Sequence, residues 1–299
     1  MKAWTAWVDR LDRRESGTPL ALVRIFVGLT VLWDLGGTWS SGALAFIWGD
    51  VRDTPLGYRQ FALEGLWTVL GTRYDTVRAV TALTMGAAAL LTLGAGARVA
   101  AFVTLQGCIA LFRLNLLAGG GHDHVATNAL WLLVLADSGR TLSLRARLRT
   151  GSWRDDTPVA SWPRELLILQ LVVMYTVTGM QKMAGEWFPW GDLLAVHNML
   201  LKPVWARWDL SPYLVHLGPL TRAATMLTWV WEVSFPIAGF AAVRGWRRVR
   251  TGYAVIGAGF HLTLLVVANL GPFSLITLSL YPALFAPTEW PFLRRTSAS

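Results

Sequence analysis

Charge is what this chain is short of. Only 15% of its 299 residues are Asp, Glu, Lys or Arg, while 54% are hydrophobic. A soluble domain carries about a quarter charged residues. The deficit runs along the whole sequence, which excludes an ordinary soluble domain and points to a membrane protein. Cysteine is nearly absent as well. Cys108 stands alone in an apolar run, so an intramolecular disulfide framework is excluded, and there is no CxxC or Cys/His cluster for structural zinc. Lysine occurs three times, as Lys2, Lys182 and Lys202, against 24 arginines. No serine elbow, HExxH or Walker motif is present. The N-terminus opens with mixed residues instead of an apolar core and a small-residue cleavage site, so no cleavable signal peptide is expected. No repeat, low-complexity tract or Gly/Ser linker divides the chain.

What is there fits a lipid environment. A membrane-spanning helix needs roughly 20 apolar residues. Eight stretches qualify: 20–38, 76–94, 97–117, 122–137, 164–184, 219–242, 250–268 and 271–287. The expected fold is therefore an all-α, polytopic helical bundle of about eight transmembrane helices, read as one domain over 20–290. Residues 1–19 precede it, with Trp4, Trp7, Val8 and Leu11 at the spacing of an amphipathic surface helix. Residues 291–299 form a basic tail. The 17 tryptophans suit membrane–water interfaces.

The net charge of +9 does not imply nucleic acid, because the arginines fall in short connections between apolar runs rather than along one stripe. With both termini cytoplasmic and eight spans, 17 basic residues face inward and five outward, as the positive-inside rule requires. A bacterial inner membrane is the expected location. Two outer segments, 39–75 and 185–218, are rich in Trp and Pro. Within them Gln60–Leu70 and Asp192–Leu201 read as helices on or dipping into the outer face.

Ionisable groups inside spans are costly, so each is a functional candidate. They are Asp34, Arg113, Lys182, Glu232 and His261. Counted at about 1.5 Å per residue, Asp34, Arg113 and Lys182 belong to the outer half, with Glu232 and His261 near the middle. The outer connection AGGGHDHVATN adds His122, Asp123, His124 and Asn128. Such convergence suits a buried polar site. Plainer readings stand beside it. Lys182 could snorkel outward; Asp34 with Arg113, or Glu232 with Lys182, could be structural ion pairs; His261 could be an interhelical hydrogen bonder. A single HxH is weak ground for a metal, and none is expected. Arg24, Arg78 and Arg222 lie nearer span ends and are expected to snorkel to headgroups.

Tyr175-Thr-Val-Thr-Gly179-Met-Gln-Lys182-Met-Ala-Gly-Glu-Trp187, followed by Gly191, resembles the Tyr-x3-Gly-x2-Lys-Leu…Trp…Gly motif of vitamin K-dependent γ-carboxylases and their bacterial relatives. That membrane domain is called HTTM, for horizontally transferred transmembrane domain. LALVRIFVGLTVLWDL at 20–35 resembles its first span. WVWEVSFP at 229–236 resembles its Trp-Glu…Phe-Pro segment, and GFHLTLLVVANLGPFS its late helix with an early His.

The resemblance implies a chemistry. A lysine matching Lys182 deprotonates a reduced quinone, vitamin K hydroquinone or menaquinol. Oxygen adds, the resulting base takes a glutamate γ-proton, the carbanion captures carbon dioxide, and the quinone leaves as its epoxide. Exclusion of water protects strong bases, and burial is the general way to make a lysine neutral and basic. Lys182, His124 and His261 are thus the catalytic candidates. His124 matches a carboxylase histidine loosely, since Asp123 stands where Asn would be. Asp34, Arg113, Tyr175, Trp187 and Glu232 are candidates for holding the cofactor. The chain ends at Ser299 without the large lumenal domain of animal carboxylases, and the disulfide of the animal enzyme is impossible with one Cys. The expectation is therefore a quinol-dependent, carboxylase-like enzyme acting on a peptide or small molecule. The alternative is a non-catalytic membrane factor binding lipid, quinone or peptide, similar to the short HTTM proteins that help mature a sporulation-delaying toxin peptide.

Overall fold

A computed structural model describes residues 2–49 and 65–290. The chain divides into two compact units, one of residues 1–167 with 285–299 and one of residues 168–284.

The first unit begins with helix α1 (Lys2–Leu11) and strand β1 (Arg14–Glu15), then the long helix α2 (Thr18–Ser40). Short helices α3 (Ala43–Trp48) and α4 (Leu66–Leu70) lead to α5 (Tyr74–Leu93), α6 (Ala97–Leu114) and α7 (Gly121–Leu135). Helix α8 (Leu144–Thr150) and strand β2 (Val159–Ala160) follow. The expected helix over Gln60–Leu70 is described only as α4; its earlier residues, with Arg52 and Arg59 and the tail 291–299, lie outside the described residues. Apolar residues line the contacts of α2, α5 and α6, with Val31, Leu35, Val77, Ala88, Leu111 and Leu114 in one core. The opposite faces carry exposed Phe26, Leu29, Trp33, Leu83, Leu90 and Val99, an arrangement that suits lipid and not water. Threonines inside these helices return their hydroxyls to the carbonyl four residues back, as in Thr81 to Val77 and Thr104 to Ala100, both 2.8 Å. That satisfies a donor where no water can.

Arg24 corrects one expectation. Its guanidinium does not snorkel; the residue is fully buried and donates to the carbonyls of Ser138 at 2.9 Å and Leu142 at 2.6 Å, with Thr92 at 3.5 Å. Five fixed donors can serve several carbonyls at once, so Arg24 ties α2 to the connection after α7. Leu142 is held there at φ 49. Arg78 is exposed and lies 5.4 Å over the Trp39 ring and 5.9 Å over Tyr74, as an interfacial cation should. Strands β1 and β2 pair antiparallel, and Arg164 grips Glu15 through two bonds of 2.6 and 2.9 Å. Two-residue strands leave no periodicity to read, so this pairing was not visible in the sequence.

Helix α9 (Trp162–Gln181) enters the second unit, which continues with α10 (Ala195–Leu201), α11 (Ser211–Val233), α12 (Pro236–Arg244), α13 (Arg247–Val267) and α14 (Phe273–Ser279). The expected continuous span 219–242 is instead α11 and α12, bent by 48°. Pro236 is the cause: it has no N–H to offer the carbonyl of Glu232, four residues back. Helix α11 also starts earlier than expected, at Ser211, and carries Pro219 inside it. The last expected span, 271–287, is α14 followed by a 3₁₀ turn at Tyr281–Leu284. Among the described residues, four helices, α2, α5, α6 and α13, are long and apolar enough to cross a membrane, or five if α11 and α12 count as one span. The molecule is helical and membrane-type, as its composition requires.

Candidate functional site

The second unit gathers most of the ionisable and aromatic residues singled out in the sequence. Tyr175, Gly179 and Lys182 follow one another at four and three residues, so they share one face at the end of α9. Gly179 is the point of closest approach to α11. A Cβ there would meet the Val233 nitrogen at 2.8 Å and the Glu232 Cβ at 3.0 Å. Only glycine lets the two backbones come this near. One turn later Lys182 Nζ donates to both carboxylate oxygens of Glu232, at 2.7 and 2.6 Å. The Glu232 side chain is 5% exposed and that of Lys182 22%. Trp187, in the 3₁₀ turn Gly185–Trp187, covers the ammonium from its other side, 4.9 Å from ring centroid to Nζ. Lys182 therefore does not simply snorkel; a buried carboxylate and an aromatic face hold it.

A second polar chain lies deeper. The Tyr175 hydroxyl is 2.6 Å from His261 Nε2 and 2.9 Å from the Tyr281 hydroxyl, and His261 Nδ1 is 3.3 Å from Ser274 Oγ. Every bond is satisfied if His261 carries its proton on Nδ1, donates it to Ser274, and accepts from Tyr175 at Nε2; Tyr281 then donates to Tyr175. Trp231 and Phe235 pack on the Tyr175 ring at 4.5 and 4.4 Å. Gly257 makes room for this packing, since a Cβ there would strike the Tyr281 hydroxyl and the Trp231 ring. The interhelical hydrogen-bonding reading of His261 is thus realised, and catalysis at His261 is not needed to explain its burial.

Three sequence stretches far apart in the chain therefore meet: Tyr175 to Trp187, Trp229 to Pro236, and the His261 helix. Tyr281, Ser274 and Thr178 were missed. Tyrosine also populates interfacial belts, so Tyr281 carried no separate signal; Thr178, beside the Glu232 carboxylate, looks like any helix threonine.

Asp34, Arg113 and His124 belong to the first unit. Asp34 is half-buried on α2, within electrostatic range of Asp123. Arg113 is exposed near the end of α6. His124 is exposed with its ring edge-on to Phe112 at 5.3 Å. Asp123 is the ordered member of that connection: its Oδ2 accepts the Gly120 N–H at 2.8 Å and lies 3.2 Å from His122 Nε2. It caps α7 at its positive end.

The residues of the cluster thus pair a cation with a buried carboxylate, cover that pair with an aromatic ring, and enclose a chain of hydrogen bonds beneath it. Comparison with curated proteins and with solved structures yields no match. The family model of the HTTM domain, by contrast, matches residues 13–290, nearly the entire sequence and every element just described from β1 onward, so the chain belongs to the HTTM domain family.

Proposed function

We propose that this HTTM protein is a bacterial inner-membrane enzyme that uses a reduced quinone, with the Lys182–Glu232 pair as its proton acceptor. The observation that carries the reading is the pair itself: a lysine and a glutamate in contact at 2.6–2.7 Å inside an apolar helix bundle, under Trp187. Salt-bridge locks need no aromatic cover and no neighbouring donors without partners. Here the Trp229 indole nitrogen is sealed from solvent and has no hydrogen-bond partner among the described residues, which fits an oxygen-bearing ligand. A reduced quinone, when bound, supplies an acidic hydroxyl and two reducing equivalents. The pair at rest shares one proton between Nζ and the carboxylate. Taking a second leaves an ammonium beside a carboxylic acid, and this cationic pair stabilises an anion next to it. Trp187 would flank the ring and limit the water that reaches the pair, while Tyr175, enclosed by Trp231 and Phe235, would support the site from beneath. His261 orients the Tyr175 hydroxyl.

The reading includes eight crossings, which the pairing of segments on a common side supports. Strands β1 and β2 are hydrogen-bonded, so they share a side, and four helices (α2, α5, α6, α7) lie between them. Trp208 Nε1 donates to the Val266 carbonyl and Arg207 N to that of Val267, at 2.8 and 3.0 Å, with two crossings between. Helices α9 and α14 complete eight, with both ends of the chain inside by the charge bias.

A second reading is favoured by the bidentate contact: a non-catalytic factor for lipid, quinone or peptide in which Lys182 only neutralises Glu232. Purified protein in lipid nanodiscs, given reduced menaquinone, oxygen and bicarbonate, separates the two. Mass spectrometry should find quinone epoxide with wild type and none with Lys182→Met. Epoxide from neither, with quinone bound to both, supports the binding factor.

A further inference from the structure

Trp229 is unexplained by packing. Its Nε1 is buried and without a partner among the described residues, as is Trp48 Nε1 in the first unit, but Trp229 lies beside the Lys182–Glu232 pair; leaving a buried donor unpaired costs about 1–3 kcal/mol. A membrane helix could carry phenylalanine there at no such cost. The residue lies three positions before Glu232 on α11, hence on the same face and about 4.5 Å along the axis toward the outer end. Its ring is fixed by Phe188, edge-on at 5.5 Å and 87°. Phe188 directly follows Trp187, which covers Lys182, and packs in turn at a tilt against Trp190 at 4.7 Å. One short loop thus positions both the cation and the indole.

We infer that the Trp229 indole N–H is a ligand-binding donor of this site, reserved for a ring oxygen of the quinone, at a distance from the oxygen that faces Lys182. The inference rests on the quinone reading above and adds to it a specificity-determining residue. A para-quinone has two oxygens on opposite sides of a flat ring, and a site that fixes its orientation needs a donor for each. Lys182 with Glu232 serves one, and Trp229 serves the other. A ligand with a single oxygen would leave Trp229 unpaired and bind less tightly.

The test measures binding of menaquinone-4 to nanodisc-embedded protein by equilibrium filtration, together with thermal stability in the quinone-free state. Trp229→Phe should bind roughly tenfold more weakly, the worth of one hydrogen bond, while its quinone-free melting temperature is unchanged or raised. Site-specific benzothienylalanine, which keeps the bicyclic shape and lacks the N–H, should reproduce the loss even if phenylalanine disturbs packing. Unchanged binding in the benzothienylalanine protein overturns the inference and leaves the quinone reading intact. Absence of menaquinone-4 binding by wild type overturns both.

Discussion

Replacing the two members of the buried pair, singly and together, separates a helix lock from a reactive centre. Lys182→Met strands the Glu232 carboxylate, whose side chain is only 5% exposed. Breaking a buried pair from one side costs about 3–5 kcal/mol. Partial exposure of the lysine allows some water to reach the carboxylate, so about 3 kcal/mol is expected for this change. Glu232→Gln leaves an ammonium that is 22% exposed and still sits over Trp187; about 2 kcal/mol is expected. The double variant buries a thioether against an amide and should cost about 2 kcal/mol, giving a coupling of about 3 kcal/mol between the sites. Reversible unfolding in mixed micelles measures all three. A coupling below about 0.5 kcal/mol would refute the ion pair as a stabilising contact. Activity should behave differently: the double variant regains stability relative to the sum of the single changes, yet forms no quinone epoxide. Rescue of epoxide formation along with stability would show that Lys182 is not the proton acceptor.

Gly179→Ala should destabilise the protein by about 2 kcal/mol, because its Cβ meets the Val233 backbone nitrogen at 2.8 Å, with Val233 Cγ2 and Glu232 Cβ close behind it; thermal unfolding and loss of quinone binding should move together. Arg24→Met should cost about 3 kcal/mol by leaving the carbonyls of Ser138 and Leu142 without their buried donor, and Arg24→Lys should recover less than half, since one ammonium lacks the fork of the guanidinium; chemical unfolding of the three proteins checks both. In a Cys108→Ala background, Ser41→Cys should react with an impermeant maleimide only from outside the cell and Arg147→Cys only after the membrane is opened, a pattern that needs the odd number of crossings made by α5, α6 and α7 and that an even number would abolish.

The helices were legible in the sequence because apolar length is the dominant requirement of a bilayer. Seven of the eight apolar runs coincide with a helix or a bent pair of helices, and the last, 271–287, holds a seven-residue helix and a 3₁₀ turn. The bend at Pro236 was present in the sequence as a proline and passed over, since bulk hydropathy does not change across it. Lys182 and Glu232 stood out for the cost of charge in apolar surroundings, and they are indeed joined. Arg24 was misread for a related reason: a charge near a span end can go to headgroups or to carbonyls, and only the position of the 138–142 connection decides between them. The hydrogen bond from Tyr175 to His261 joins residues 86 positions apart, and no local pattern encodes that meeting.

Photoaffinity labelling tests the central claim most directly. An azido analogue of menaquinone, irradiated with nanodisc-embedded protein and mapped by peptide mass spectrometry, should label residues 175–190 and 228–236, with labelling competed away by menaquinone-4. Labelling confined to other segments, or unaffected by the competitor, would contradict a quinone site at the Lys182–Glu232 pair.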